Sequence, residues 1–299
     1  MEIKVNGHSG CTIEVMNRGN RLCLVKSTSD VKYINRLIEQ AEKQKKYAGH
    51  RYKAVKIPEI LSIVQTPGQC HVEMEYIYSK NFVDFLETSN VHQIDTFISS
   101  VCHFVDAMIS RSSMKKVSAG VVIRKFEDVA GNIRSNSCCR RVPGIDIILE
   151  RSARIIRSCP DLSIPVGACH GDLTLSNVLF NGYIYYLIDF LDSFIESPLM
   201  DIVKLRQDTA YHWSVLMYNG DFATARMNLI MDRMDERIRE HFDSYLWYKE
   251  FYGIFQLMNF LRILQYAHEE RIVVYLRNSL THILNHEFLS DSSCCYRQA

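Results

Sequence analysis

The chain has 299 residues and a mass of 34.7 kDa, which is enough for about two domains of ~150 residues each. Hydrophobic residues make up 47% and charged residues 23%, ordinary values for a globular protein that can bury a sizeable core. Lys and Arg number 35 against 34 Asp and Glu. This balance excludes an acidic disordered tail and argues against a dedicated nucleic-acid binder, whose binding face is normally strongly basic.

The sequence shows neither an export signal nor a membrane span. Residues 1–5 lack the basic and apolar segments of a secretory signal, and no stretch approaches the ~18 to 20 uninterrupted apolar residues of a spanning helix. The ten cysteines are scattered, and none of them form a Cys-x-x-Cys pair. We therefore expect a cytoplasmic protein with reduced thiols and neither a membrane nor a nucleic acid as partner.

The first part of the chain has the alternation of β-strands. Residues 12–16 and 21–26 alternate around a turn at 17–20, which predicts a hairpin. Apolar residues at helical spacing predict a helix over about 31–47. Two more strands are expected at 60–64 and 70–77, separated by the turn chemistry of Thr66-Pro67-Gly68.

After about residue 79 the pattern becomes helical. Residues 111–141 are less regular and basic, which favours a solvated surface segment over a binding patch. Helical character covers the segments 82–86, 92–110, 146–157 and nearly all of the chain from 197 onward. The prediction is an α+β protein, with a small β-rich N-terminal lobe over 1–79 and a larger, mainly helical C-terminal lobe over 80–299.

Three polar side chains lie at spacings that suggest chemistry. Asp172 and Asn177 are five positions apart in a loop, and Asp189 ends the apolar strand 183–188. A hairpin over 178–188 would place Asn177 beside Asp189. A carboxylate and an amide oxygen form a site that suits Mg²⁺ better than zinc, and Asp172 is then free to act as a base or to orient a hydroxyl. The plainer alternative is that these side chains only cap turns and end a strand.

The same segment resembles a known family. His170-Gly171-Asp172, then Asn177 after four residues, then Ile188-Asp189-Phe190 resembles the catalytic loop and metal-binding strand of the aminoglycoside phosphotransferase and choline kinase branch of the protein-kinase-like superfamily. The resemblance implies a two-lobed protein-kinase-like fold and the use of ATP or GTP. It also implies that Asp172 accepts or orients the proton of an attacking hydroxyl, while Asn177 and Asp189 hold Mg²⁺ on the nucleotide phosphates.

The N-terminal lobe carries further parts of this resemblance. Residues 7–10 (Gly-His-Ser-Gly) resemble a short phosphate-covering loop, in which the backbone N–H groups of Ser9 and Gly10 approach the phosphates. Lys26, at the end of an alternating strand, resembles the lysine that pairs with the phosphates in kinases. The following helix offers Glu39 or Glu42 as the partner of Lys26, with Glu42 preferred.

The hinge between the lobes is expected at residues 74–80. There, the backbone around Glu75 and Ile77 would hydrogen-bond adenine, although these residues are equally consistent with an ordinary buried strand. Few residues separate Asp189 from the predicted helix start at Ser197, and no Ala-Pro-Glu segment occurs between them. The resemblance to kinases of proteins is therefore weaker than that to kinases of small molecules.

The predicted function is an ATP- or GTP-dependent kinase that phosphorylates a hydroxyl of a sugar, an amino alcohol or an aminoglycoside-like acceptor. Aromatic residues over 205–275 could form a cage for a quaternary ammonium, but a buried core is favoured. Lys204 and Arg206 could favour an anionic acceptor, although solvation is the favoured reading. Aminoglycosides would need a ring of carboxylates, for which Asp208, Asp221, Asp232 and Asp235 are available. A catalytically silent nucleotide-binding or interaction protein is the alternative, and nucleotidyl transfer to a protein is a third class.

Overall fold

The computed structural model describes residues 3–6, 11–19 and 21–288, and the side chains of 11–19 and 21–288. It contains a small β-sheet region followed by a mainly helical region. The predicted α+β, protein-kinase-like fold class is confirmed. None of the helices in the described part of the chain is both long and apolar enough to cross a bilayer.

Most of the strands precede α2, and the later strands lie between α3 and α7. The strands are β1 (Ile3–Asn6), β2 (Thr12–Arg18), β3 (Arg21–Thr28), β4 (Val55–Lys56), β5 (Ile60–Thr66), β6 (Gln69–Glu75), β7 (Ser113–Val117), β8 (Leu162–Val166), β9 (Val178–Asn181) and β10 (Ile184–Leu187). The helices are α1 (Val31–Ala48), α2 (Phe82–Thr88), α3 (Val91–Ser110), α4 (Ala119–Ser135), α5 (Ser137–Arg141), α6 (Ile145–Arg157), α7 (Pro198–Thr209), α8 (Trp213–Leu216), α9 (Thr224–Phe242), α10 (Leu246–Leu264) and α11 (Glu270–His286).

The chain divides into two compact units. One comprises Met1–Arg111 and Ala168–Ile238, and the other comprises Ser112–Gly167 and Arg239–Ala299. All residues of the predicted chemical site lie in the first unit. The boundary between lobes near residue 79 stays a prediction.

An antiparallel sheet of five strands, in the order β1-β2-β3-β6-β5, forms the N-terminal part of the first unit. The predicted hairpin is present, and β2 and β3 pair as far as Arg18 and Arg21. Its turn is shorter than predicted and includes Gly19 with φ +69°, a left-handed conformation that glycine adopts without steric cost.

Helix α1 lies against this sheet. The Asp30 side chain caps its start by accepting a hydrogen bond from the Lys32 N–H at 2.9 Å. Ile34, Leu37 and Ala41, at helical spacing, are buried with residues of β5 and β6. The rotation of α1 is thereby set by this apolar stripe, which also determines which of its polar residues turn towards the rest of the unit.

The hairpin of β9 and β10 is held by a cluster of aromatic rings. Phe180 of β9 stacks on Phe85 of α2 with ring centroids 4.2 Å apart, and Tyr185 of β10 meets Phe97 of α3 at 4.9 Å. Phe97, Phe180 and Tyr185 are each at most 2% exposed. Such packing fixes the hairpin on the two helices and so fixes the positions of the loops that precede and follow it.

The second unit corrects one prediction. Residues 111–141 were expected to be irregular, yet they form β7, α4 and α5. Val122, Phe126, Val129 and Ile133 repeat at helical spacing and are buried, while most of the basic residues of the segment are exposed. The amphipathic character of α4 was not evident from the sequence, because its apolar stripe occupies only one side and exposed charged residues lie between the apolar ones.

The aromatic residues of α10 were interpreted either as a cage for a quaternary ammonium or as a buried core, and their burial distinguishes the two. Trp247, Tyr248, Phe251, Tyr252 and Phe255 are all buried, and none is more than 8% exposed. These five residues are part of the core of the second unit, as favoured, and do not form an open aromatic cage.

Candidate active site

The hairpin of β9 and β10 brings the loop before β9, which ends at Asn177, next to the segment after β10. The backbone N–H of Ile188 donates to the Asn177 carbonyl at 3.1 Å, so Asn177 lies beside the residue that precedes Asp189. Asp189 has φ +62°, a conformation that is uncommon outside glycine but is enriched in Asp and Asn. The end of a buried strand therefore turns sharply at the carboxylate.

Asp172 is held by two neighbours, one on each carboxylate oxygen. Asn177 Nδ2 donates to Asp172 Oδ2 at 3.0 Å and to the Asp172 carbonyl at 2.8 Å. Lys204 Nζ of α7 lies 3.1 Å from Asp172 Oδ1. Burial would raise the pKa of Asp172, but the Lys204 ammonium, with help from His170 and Asn177, holds the pKa below its ordinary value. Asp172 is therefore a carboxylate at neutral pH.

Lys26 contacts Asp189 directly through Nζ and Oδ1. The lysine side chain is 11% exposed and the aspartate side chain 36% exposed. This contact joins the N-terminal sheet to the end of β10, across 163 positions of sequence.

The predicted partner of Lys26 is not found on α1. Glu42 and Glu39 are both exposed, and neither forms an ion pair with Lys26 in the described residues. The expectation that Glu42 pairs with Lys26 is corrected: the apolar stripe of α1 turns both glutamates to the solvent, and Asp189 is the acid that Lys26 contacts.

Lys43 is the α1 residue that reaches the segment after Asp189. Its Nζ donates to Glu196 Oε2 at 2.7 Å and to the Leu191 carbonyl at 2.6 Å, and Asp192 Oδ1 lies 3.6 Å away. Glu196 Oε1 also accepts the Ser193 N–H at 2.6 Å. Lys43 and Glu196 therefore close the segment that follows Asp189 and attach it to α1.

Gly171 is required by a close approach of two backbone segments. Its φ is +89°, and a Cβ at this position would lie 1.8 Å from the Leu191 carbonyl oxygen. The His170 carbonyl also accepts the Leu191 N–H at 3.0 Å. A side chain after His170 would thus separate the loop that carries Asp172 from the segment after Asp189, which gives a physical reason for the glycine in this motif.

His170 is buried beside the catalytic loop. Its Nδ1 accepts the Asp172 N–H at 3.2 Å, and its ring lies 4.1 Å from that of Phe190 between centroids. Burial lowers the pKa of His170 to about 4, so the ring is neutral at pH 7 and Nε2 carries its proton. These contacts brace the backbone of the loop.

Two aspartates of α7 hold the same loop by its backbone. Asp201 Oδ2 and Oδ1 accept the N–H groups of His170 and Gly171, both at 2.7 Å. Asp208 accepts the Leu175 N–H at 2.5 Å and two hydrogen bonds from Ser214 at 2.9 Å each. Burial raises the pKa of Asp201 to about 7 and that of Asp208 to about 6, against the lowering effect of these donors.

The remaining predicted site residues belong to the nucleotide side. Ser9 and Gly10 lie outside the described residues. The Glu75 N–H donates to the Glu59 carbonyl at 2.9 Å and is used by the sheet, whereas Ile77 lies after β6 and is 9% exposed. Their contacts with a nucleotide stay predictions.

Three residues near the candidate site were missed or misread in the sequence. Lys204 was read as a solvated lysine, yet its side chain is 14% exposed and pairs with Asp172. Arg206 pairs with Asp235 at 2.9 Å instead of facing solvent. Nothing in the sequence indicated that Lys43 forms an ion pair. Its only distinguishing feature is its position on α1 between Glu42, which is exposed, and Gln44, which is buried. In each case the partner is distant in the chain.

The fold is protein-kinase-like, and Asp172, Asn177, Asp189 and Lys26 lie within one unit of it. The sequence model of the phosphotransferase enzyme family matches residues 139–239, which include the loop that carries Asp172, as well as Asp189 and α7. The resemblance stated from the motifs is confirmed.

Solved structures with similar folds are aminoglycoside phosphotransferases. The apo form of a thermostable mutant of APH(4)-Ia is 11% identical over 97% of this chain and 95% of that chain, with a TM-score of 0.64. A variant of it in ternary complex with AMP-PNP and hygromycin B is 12% identical over 96% and 94%, with a TM-score of 0.63. An aminoglycoside-3'-phosphotransferase of type VIII is 13% identical over 96% and 94%, with a TM-score of 0.52.

At these identities the similarity establishes the fold and leaves the acceptor open. No curated protein matches the chain.

Proposed function

We propose that the protein is a Mg²⁺-dependent small-molecule kinase that transfers the γ-phosphate of ATP or GTP to a hydroxyl group. The observation that carries the proposal is the set of contacts among Asp172, Asn177, Asp189 and Lys26. One unit of the fold thus holds an ionised carboxylate, an amide and a Lys–Asp pair at the ends of a single hairpin and its neighbouring sheet.

The donor set at Asn177 and Asp189 suits Mg²⁺. Both N–H groups of the Asn177 amide are used by Asp172, which leaves its Oδ1 as an acceptor for a cation. In the described residues no cluster of three or more His, Cys, Asp or Glu could hold a metal on its own. Mg²⁺ typically binds through one or two carboxylates together with substrate phosphates. Bound there, it would neutralise the charge that develops on the phosphates.

The residues of the chain supply position and charge in this proposal. Lys26 would exchange its contact with Asp189 for the nucleotide phosphates. Asp172 would accept a hydrogen bond from the acceptor hydroxyl and align its oxygen with the γ-phosphorus. Asn177 and Lys204 fix the Asp172 carboxylate before substrate binds, and such preorganisation is the main source of catalysis in phosphoryl transfer.

The backbone contacts of Asp201 predict a dependence on acid pH. The carboxylate form of Asp201 accepts the N–H groups of His170 and Gly171 on its two oxygens. Protonation would place a hydrogen on one of these oxygens and weaken it as an acceptor. Since the pKa of Asp201 is raised to about 7, we expect kcat to fall as the pH drops below 7. Asp201→Asn should lower kcat at all pH values, because one buried N–H then lacks an acceptor, a defect that costs about 1–3 kcal/mol.

The contribution of Asp201 to the free energy of unfolding should change in the opposite direction to kcat, increasing as the pH falls below 7. The pKa of Asp201 is higher in the folded protein than its ordinary value of 3.8, so protonation favours the folded state as the pH falls from 7 towards 4. A pH profile of kcat, recorded with the thermal midpoint at each pH, checks the prediction. If kcat and the midpoint fall together below pH 7, unfolding is the cause and the interpretation is wrong.

Two measurements on the purified wild-type protein test the proposed function. The first is the shift in thermal midpoint on adding ATP or GTP with and without Mg²⁺. The second is a phosphate-transfer screen, read by mass, of pooled sugars, amino alcohols and aminoglycosides. Phosphate transfer to one pool supports a small-molecule kinase. A Mg²⁺-dependent shift with no transfer to any pool and no ATP hydrolysis would favour the catalytically silent alternative.

A further inference from the structure

The positive charge of Lys204 beside Asp172 bears on the charge that the acceptor can carry. Lys204 is a cation held 3.1 Å from the carboxylate that would meet the acceptor hydroxyl. Its Nζ also donates to Gln207 Oε1 at 3.3 Å. A lysine ammonium has three N–H donors, so, in the described part of the chain, these two contacts leave one donor for an incoming group.

Two of the four carboxylates that could attract a cationic acceptor are already engaged, and the other two, Asp221 and Asp232, are exposed. Asp208 is fully buried and accepts hydrogen bonds from Leu175 and Ser214. Asp235 accepts two hydrogen bonds from Arg206, at 2.9 and 3.0 Å, and another from Thr209 at 3.0 Å. Both had been considered as carboxylates for an aminoglycoside, and neither is available without breaking a buried contact.

The net charge next to the reacting position is therefore close to zero. Asp172 and Lys204 compensate each other, Asp201 and Asp208 of α7 are compensated by backbone N–H groups and a serine, and Asp235 of α9 pairs with Arg206. An ammonium group beside the reacting hydroxyl would meet the Lys204 charge at close range, and the carboxylate of Asp172 is already paired with Lys204. Like charges repel strongly where solvent is partly excluded.

We propose that Lys204 selects the acceptor: the compound that receives the phosphate is a hydroxyl compound without an ammonium group near the reacting hydroxyl, namely a neutral polyol or a hydroxy acid. The inference rests on the proposed kinase function and narrows its substrate class. The free N–H of Lys204 donates to a hydroxyl or carboxylate oxygen of the acceptor, while Asp172 orients the hydroxyl that reacts.

The test compares acceptors that share one carbon skeleton. The phosphate-transfer screen uses separate pools of neutral polyols, hydroxy acids, amino alcohols and aminoglycosides. For the best acceptor, kcat/KM is then measured beside the analogue in which a neighbouring hydroxyl is replaced by an amine. With the wild-type protein, the amine analogue should have a kcat/KM lower by about tenfold or more.

Variants at Lys204 assign this preference to its charge. Lys204→Gln should reduce the discrimination against the amine analogue to within about threefold, and Lys204→Arg should retain it, because the positive charge is kept. Lys45→Gln, at an exposed lysine of α1, is the matched control and should leave the ratio unchanged. A ratio that is the same in Lys204→Gln as in the wild type overturns the role of Lys204.

The outcomes separate this inference from the function on which it rests. Efficient transfer to the aminoglycoside or amino alcohol pool, with none to the other pools, sustains the kinase and overturns the inference. Absence of transfer to every pool, together with no Mg²⁺-dependent nucleotide binding, overturns the kinase itself.

Discussion

Asp172→Asn should reduce phosphate transfer by about 10²- to 10⁴-fold, the usual contribution of a positioned acid or base, and leave nucleotide binding unchanged. The amide has nearly the same shape, but it offers an oxygen of much weaker basicity and an N–H₂ group to the acceptor. It also leaves Lys204 without its anionic partner at 3.1 Å. Initial rates with the best acceptor and an equilibrium Kd for ATP in the presence of Mg²⁺ measure the two effects separately.

A matched control for this variant is Asp232→Asn, at an exposed position of α9. It makes the same chemical change and should alter neither the rate nor the Kd. Turnover in purified Asp172→Asn close to the wild-type rate would contradict the assignment of Asp172.

Asp189→Ala should weaken the binding of Mg²⁺-nucleotide by about tenfold or more, because the carboxylate that would hold the cation is lost. It should have much less effect on nucleotide binding without Mg²⁺. Isothermal titration with ATP, in the presence of Mg²⁺ and in its absence, measures both constants. An unchanged Kd with Mg²⁺ would rule out Asp189 as a ligand.

The backbone at Asp189 requires a second variant. Its φ of +62° is tolerated by Asp and Asn better than by Ala, so Asp189→Ala also strains the loop. Asp189→Asn keeps that tolerance and removes the charge. If both variants weaken Mg²⁺-dependent nucleotide binding and only Asp189→Ala lowers the thermal midpoint below that of the wild type, the missing carboxylate accounts for the weaker binding.

Glu42→Gln serves as the control on the N-terminal side. Since Glu42 is exposed and Lys26 contacts Asp189, the structure predicts that this variant binds Mg²⁺-nucleotide as the wild type does. A loss comparable to that of Asp189→Asn would restore Glu42 as the partner of Lys26.

Local sequence patterns predicted the elements that carry the site. Helix α1, the hairpin of β2 and β3 and the hairpin of β9 and β10 follow from periodicity and turn residues, and these depend on interactions between residues close in the chain. The sequence placed Asp172 and Asn177 in one loop without predicting a contact between them, and they are hydrogen-bonded at 3.0 Å. Short-range hydrogen bonds and a tight turn leave few alternatives for such residues.

Only the tertiary structure decided which charges meet. Lys26 pairs with a residue 163 positions away, and Lys43 with one 153 positions away. Neighbouring residues on a helix point about 100° apart. Once the apolar stripe of α1 is buried, Glu42 is therefore exposed to solvent while the adjacent Lys43 contacts Glu196. Periodicity shows that a stripe exists, but only its packing partner shows where the polar sides face.

The sequence by itself determined that this chain has a kinase-like arrangement of elements with an Asp, an Asn and a second Asp at the spacing of a phosphotransferase. The tertiary structure decided that Lys204 neutralises the first Asp and that the aspartates of α7 accept hydrogen bonds from backbone N–H groups and a serine. The near-zero net charge of the chain, +1, cannot reveal this, because the field at a site depends on which charges are buried together and not on their sum.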